Sequence, residues 1–379
     1  MRRGIMVSNL KTRILILISI VCMGSGFTAI AQENYSSESR KFIYMEGSKE
    51  TTRIWMSYTH NIESRSLLTK ITHAEGYPIK ASLSPDGTKI AYTLLSSSGQ
   101  NPSLDGSLFF MDIEKQSQVK LDKGINYYIA PRWSQDSTKL VYLKTVVLSD
   151  QESYRTELCL LDLRGSRSIL LEDDESLGIS PIGYSPNGKQ FYFDRIISEG
   201  DELWAIDLST NTRRFIAPIS IGAAWNLAIS PDGSEILGSV IESREPASYA
   251  VVSISVDGKR RHVWTKGAQR HYTPIWGPKA DEITANIPYG AYPTIPGENN
   301  YKGELKILNR KGKDELKIGE SNDWMDAPIS WLPNRNQLIF ERYRYSRNDL
   351  LIMNNKIANQ ISPSNSSWVM FVGWANEAY

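Results

Sequence analysis

Four histidines serve the whole 379-residue chain, at positions 60, 73, 262 and 271. A lyase or hydrolase needs an acid and a base at one ligand, and imidazole is the side chain that changes charge near neutral pH. His271 is the best placed, because Arg270 and Tyr272 flank it and supply a cation and a phenol in one short segment. His73 is second. Arg195 and Arg342 are the candidates to neutralise an anionic substrate. No two histidines stand at a ligand spacing, so no metal site is predicted and no cofactor is expected; a divalent metal is compatible with the chain, but no motif supports one. The acidic run Glu172-Asp173-Asp174-Glu175 lacks the alternating ligands and turn glycine of a calcium loop and reads as a solvated segment. Cys159, within Leu158-Cys159-Leu160-Leu161, reads as a packed core thiol rather than a nucleophile.

These side chains need a scaffold, and a repeat supplies it. Leu83-Ser84-Pro85-Asp86-Gly87-Thr88-Lys89-Ile90-Ala91-Tyr92 returns as Ile229-Ser230-Pro231-Asp232-Gly233-Ser234-Glu235-Ile236-Leu237, with weaker copies at Ser134, Ser185, Gly277 and Leu332 and a half-copy ending at Trp374-Ala375. Proline presets φ, aspartate hydrogen-bonds its own backbone, and glycine accepts the positive φ that closes a tight hairpin. A period of ~40–50 residues with several strands per unit marks a β-propeller. The third unit shows four strands, over 179–184, 190–194, 202–207 and 213–216. Six full units run from Pro78 to Ser362. The leftovers are complementary: residues 41–45, 52–58 and 67–71 supply second, third and fourth strands, and 367–374 supplies a first. The predicted fold is all-β, a propeller of seven four-stranded blades closed by both chain termini, with a six-bladed ring as the alternative.

In a propeller the segments leading into each first strand share a face with the loops between second and third strands. The lead-in segments here carry Tyr77, Tyr127-Tyr128, Trp225, His271-Tyr272, Trp324 and Trp368; only Leu177-Gly178-Ile179 lacks a ring. Two readings stand: the rings close the ends of the blade cores, or they form a stacking platform for a sugar or peptide. Tyr77, Tyr128, Trp225, His271, Tyr272, Trp324 and Trp368 are thus the candidate ligand-binding residues. Lys144, Arg195, Glu341 and Arg342, at second-strand ends, are polar candidates on the same face. The segment from Pro288 to Tyr301, with three prolines and three tyrosines, is expected to form a rim or lid.

The N-terminus carries Arg2, Arg3, Lys11 and Arg13, then an apolar run over residues 14–21 and a small-x-small site at Ala29-Ile30-Ala31. That is the pattern of a signal peptide over residues 1–31, ahead of a single propeller domain over 32–379. A short N-terminal anchor and a lipoprotein at Cys22 are the alternatives. The leader holds four basic and no acidic side chains, which leaves 39 basic against 42 acidic residues. Such a balance gives no electrostatic case for nucleic acid. No later apolar run is long enough to span a membrane. The expected location is periplasmic or extracellular.

Ser-Pro-Asp-Gly followed by Lys89-Ile90-Ala91-Tyr92, with strands ending Met111-Asp112-Ile113 or Ala205-Ile206-Asp207-Leu208, resembles the repeat of TolB-like propellers, also called WD40-like Pro-Asp repeats. The resemblance covers residues 41–375. TolB proteins add an N-terminal α/β domain that this chain has no room for, so the resemblance implies the propeller and not the TolB role. The repeat also resembles propellers of prolyl-oligopeptidase-type peptidases, whose Gly-x-Ser-x-Gly motif is absent here, and of oligogalacturonate lyases, whose metal-holding histidine cluster is not visible. The expectation is a non-catalytic exported propeller that binds a protein, peptide or oligosaccharide. The alternative is a polysaccharide lyase or other glycan-degrading enzyme using His271, Tyr272 and Arg195 or Arg342.

Overall fold

The computed structural model describes residues 40–148, 154–268, 272–277, 279, 281–288, 303–311, 314–321, 325–332, 337–344, 347–354, 357–362 and 368–375. All regular structure in them is β, in seven antiparallel sheets of four strands. Blade 1 runs Lys80–Leu83, Lys89–Leu94, Gly106–Asp112 and Ser117–Ile125; blade 2 runs Arg132–Trp133, Lys139–Val147, Tyr154–Asp162 and Arg167–Asp173. Blade 3 holds Gly178–Tyr184, Gln190–Ile197, Gly200–Asp207 and Arg213–Ser220, and blade 4 holds Ala224–Ile229, Glu235–Arg244, Ala247–Ser255 and Arg261–Ala268. Blade 5 is Thr273–Trp276, Glu282–Pro288, Gly303–Asn309 and Asp314–Ser321, and blade 6 is Met325–Trp331, Gln337–Arg344, Arg347–Asn354 and Ile357–Gln360. Blade 7 joins the termini: Trp368–Trp374 is its inner strand, and Lys41–Gly47, Thr51–Tyr58 and Asn61–Thr72 complete it. Phe42 lies opposite Trp374 and Gly47 opposite Trp368, so the ring closes through backbone hydrogen bonds rather than side-chain packing alone. The ring is a seven-bladed β-propeller, and the six-bladed alternative is excluded.

The repeated turn works as its residues require. Ser84 N donates to Lys89 O at 2.8 Å, Lys89 N donates back to Ser84 Oγ at 2.9 Å, and Thr88 N donates to Asp86 Oδ1 at 3.0 Å. Asp86 is partly buried, which opposes its charge, but Lys89, Ser84 and Thr88 hydrogen-bond it and hold its carboxyl well below the usual range. The turns also pack on one another: Asp86 N donates to Ser137 Oγ of blade 2 at 3.0 Å. Gly233 has φ +74°, and a Cβ there would sit 2.5 Å from Pro186 Cδ of the blade 3 turn.

Apolar faces of adjacent blades make the core. Tyr192, Leu203 and Ile236 sit in the layer between blades 3 and 4, and Val141, Leu158 and Phe193 in the layer between blades 2 and 3. Cys159 is one of the core residues between blades 1 and 2; burial, first, pushes its thiol up.

Two recurring devices tie blade to blade. The first is a tryptophan as the last residue of the inner strand. Trp133 Nε1 donates to Ser82 O at 3.1 Å, Trp276 Nε1 to Ala228 O at 3.0 Å, Trp331 Nε1 to Thr284 Oγ1 at 2.9 Å and Trp374 Nε1 to Ser330 Oγ at 3.1 Å. Each bond joins one blade to the blade before it. The second is a polar residue nine positions after the turn marker, on the second strand. Thr93 Oγ1 donates to Tyr127 O at 2.9 Å, Ser239 Oγ accepts from Tyr272 N at 3.0 Å, and Asn286 Nδ2 donates to Asp326 O at 2.8 Å. These buried hydroxyls and amides satisfy backbone groups ahead of the next inner strand or, at Asp326, near its start.

Candidate functional site

The segments leading into the inner strands lie on the face opposite the Ser-x-Asp turns, and there the aromatic side chains divide. Tyr272 is 1% exposed and packs with Trp264 and Trp276. Its backbone is spent on Ser239 and on Asn226 Nδ2. Trp368 lies against the Gly47 backbone, where a Cβ would meet its ring at 1.8 Å, and it belongs to the core between blades 7 and 1. Tyr77 is half-buried, edge-on to Tyr127 at 5.6 Å between ring centroids. Trp225 is half-buried against Tyr249, 5.9 Å away. His73 is buried with Nδ1 2.9 Å from Ala74 O. His271, Trp324 and the expected lid over 289–301 lie outside the described residues.

The charged candidates are engaged by carboxylates. Arg195 Nε donates to Asp173 Oδ2 at 2.6 Å, with Glu175 at 3.3 Å and Glu202 at 3.9 Å. Arg342 grips Asp326 with two bonds of 2.7 and 2.8 Å. Lys144 pairs with Asp122 at 3.3 Å. Glu341 accepts from the Tyr343 hydroxyl, and burial pushes its carboxyl up. Both guanidinium groups are thus paired with aspartate carboxylates.

Tyr128 is different. It is 53% exposed, although its neighbour Tyr127 is buried. Asn126 makes the division: its N donates to Leu143 O at 3.0 Å while its Oδ1 accepts from Tyr128 N at 3.0 Å. Tyr127 is pinned by its N to Pro102 O at 2.9 Å and by its hydroxyl to Pro78 O. The outward ring therefore stands on a fixed base. It borders a groove of about 470 Å³ across blades 1 to 3, shared with Tyr154, 53% exposed, and Leu177, 76% exposed. The remaining described lining residues are uncharged and include the polar Asn101, Asn126 and Thr145.

Two walls of the groove are held by hydrogen bonds from their backbone N–H groups. In blade 1, Asn101 N donates to Asp105 Oδ2 at 2.7 Å and Ser103 N to Asn101 Oδ1 at 3.0 Å. On the blade 3 side, Asp173 accepts from Glu175 N at 3.1 Å and Ser176 N at 2.9 Å, and Leu177 N donates to Ile196 O at 2.8 Å. Arg195 holds that same Asp173. A second cavity of about 360 Å³ lies among the inner strands of blades 4 to 6, beside Glu341 and Tyr343.

Sequence reasoning missed Tyr154 and Leu177. Tyr154 was findable: it is an aromatic ring directly after the polar run Ser149-Asp150-Gln151-Glu152-Ser153. Leu177 was passed over because its segment lacks a ring. Among the described residues no group of three or more His, Cys, Asp or Glu side chains converges to hold a metal ion.

No family model and no curated protein matches the chain. Solved structures do match. TolB from Acinetobacter baumannii is 16% identical over 73% of this chain and 62% of that one, with a TM-score of 0.50. A structure from a study of two prolyl endopeptidases is 12% identical over 84% of this chain and 48% of that one, with a TM-score of 0.61. An oligogalacturonate lyase in complex with manganese is 14% identical over 76% of this chain and 79% of that one, with a TM-score of 0.53. The chain thus spans under two thirds of the length of the first two. At these identities the likeness is one of fold. Taken with the repeat and the ring, it makes the fold of this chain a TolB-like β-propeller of seven blades.

Proposed function

We propose that this propeller is an exported, non-catalytic binding protein that holds an oligosaccharide in the groove across blades 1 to 3. The observation that carries the reading is the lining: two half-exposed tyrosine rings, an exposed leucine, and amides and hydroxyls, with no charged side chain among the described lining residues. A sugar presents alternating C–H faces and hydroxyls, and it matches flat rings beside placed amides. Rigid loops reduce the ordering cost of binding. Export is supported by the basic, apolar and small-residue pattern of residues 1–31, and no helix among the described residues is long and apolar enough to cross a membrane.

Catalysis gains no support from the described residues, because Tyr272 is buried and Arg195 and Arg342 are held by aspartates. The test is an array of neutral and acidic oligosaccharides, probed with the mature protein and with the Tyr128→Ala, Tyr154→Ala double variant. Saturable binding that the folded variant loses supports the reading. No saturable binding, or binding that survives the substitution, contradicts it. The same incubations, followed for unsaturated products, test the lyase alternative.

A further inference from the structure

The turns on the face opposite the groove are not evenly packed. The blade 1 turn bonds to the blade 2 turn through Asp86 N and Ser137 Oγ, 3.0 Å apart. Ser137 holds φ 57° for that contact, where blades 1, 3 and 4 have Gly87, Gly188 and Gly233. The blade 4 turn lies against the blade 3 turn, where a Cβ on Gly233 would meet Pro186 Cδ at 2.5 Å. The slack falls between blades 2 and 3, as a cavity of about 290 Å³. Asp136 and Lys139 of blade 2 line it, with Tyr184 and Asn187 of blade 3 and the apolar Leu160 and Leu208.

This lining departs from the repeat in two ways. Tyr184 ends its inner strand where blades 2, 5, 6 and 7 carry tryptophan. Those tryptophans each donate to the preceding blade, but the Tyr184 hydroxyl is buried without a hydrogen-bond partner. Other buried tyrosines spend theirs, Tyr92 on Gln118, Tyr142 on Asp122 and Tyr192 on Gln190. An unpaired buried hydroxyl is costly. The ion pair of the repeat is also open. In blade 1, Lys89 Nζ closes on Asp86 Oδ2 at 2.8 Å. In blade 2 the bonds from Ser134 and Thr138 all go to Asp136 Oδ1, and among the described residues Lys139 makes no ion pair. An ammonium, a spare carboxylate oxygen and an unused hydroxyl thus border one small space.

We infer that this cavity binds a free α-amino acid with an apolar side chain. The ligand carboxylate pairs with Lys139 and accepts from the Tyr184 hydroxyl, its ammonium meets Asp136 Oδ2, and its side chain rests on Leu160 and Leu208. A simple anion would be repelled by Asp136 and a simple cation by Lys139, whereas a zwitterion satisfies both. The volume sits at the lower end of ligand cavities, roughly 300 Å³, which suits one small molecule rather than a polymer. The site is separate from the oligosaccharide groove and does not depend on it.

The experiment is a calorimetric titration of the full-length protein with L-leucine, N-acetyl-L-leucine and L-leucinamide. Leucine should saturate, and each analogue, having lost one charge, should bind about tenfold more weakly or worse. Lys139→Met should weaken leucine about tenfold and leave leucinamide unchanged. Asp136→Asn should weaken leucine and spare N-acetylleucine. That variant keeps its turn, because Asn187 already serves the blade 3 turn, accepting from Ser185 Oγ at 2.7 Å and Lys189 N at 3.0 Å. No saturable binding of leucine, an analogue that binds as tightly as leucine, or unchanged leucine affinity in Lys139→Met overturns the site.

Discussion

Arg195 and Asp173 form a 2.6 Å ion pair whose second task is to shape the groove. The Asp173 carboxylate takes Arg195 on one side and the N–H groups of Glu175 and Ser176 on the other, just ahead of the exposed Leu177. Partial burial works against its charge, but these donors hold its carboxyl below the ordinary value. Arg195→Ala should leave a buried aspartate without its cation and cost about 3 kcal/mol. Binding of an oligosaccharide should weaken as the loop loses its anchor. Urea unfolding and a binding titration check this; an unchanged midpoint would contradict it. The effect should also follow acid. A depressed native pKa means that the stability is present above the unfolded value of 3.8 and is lost as pH falls through the native value.

Asp194 and Asp201 behave in the opposite sense. They lie on adjacent strands of blade 3, both buried, and Oδ1 of each has no hydrogen-bond partner. Asp201 Oδ2 accepts from Ala224 N of blade 4 at 2.6 Å. Burial, and then the neighbouring carboxyl, raises Asp194; burial also raises Asp201. The native pair therefore holds a proton that the unfolded chain releases near 3.8. Its contribution is complete below 3.8 and is lost as pH rises toward the raised native values. Melting temperature measured across this range should decline less in Asp194→Asn than in the wild type. Parallel curves would refute the shared proton.

The inner-strand tryptophans are scaffold, and stability should say so. Trp276→Phe removes the donor to Ala228 O and part of the ring volume, at a cost of about 1–3 kcal/mol. Oligosaccharide affinity should not change, because Trp276 is buried between blades 4 and 5. A variant with wild-type stability and weakened binding would reverse the assignment.

The architecture was readable because its causes are local. Ser84, Asp86 and Gly87 close their turn by bonds within six residues, so every copy announces a hairpin. The closing blade was readable because the fragments at the two ends lacked complementary strands. The site was less readable. Tyr127 and Tyr128 are adjacent and chemically identical, yet one is buried and the other exposed, and the difference lies in Asn126 and in Pro78 and Pro102, far back along the chain. Arg195 and Arg342 looked available because nothing nearby in sequence revealed Asp173 or Asp326, 22 and 16 residues away.

The groove is the central claim, and locating a bound ligand tests it most directly. Hydrogen exchange should be measured with and without the oligosaccharide that binds most tightly in the array. Protection is predicted in the segments 100–105, 126–131 and 174–179, which carry Asn101, Tyr128 and Leu177. Protection confined to the turns of the opposite face, at 84–89 or 230–235, or no protection at any segment, would contradict the account.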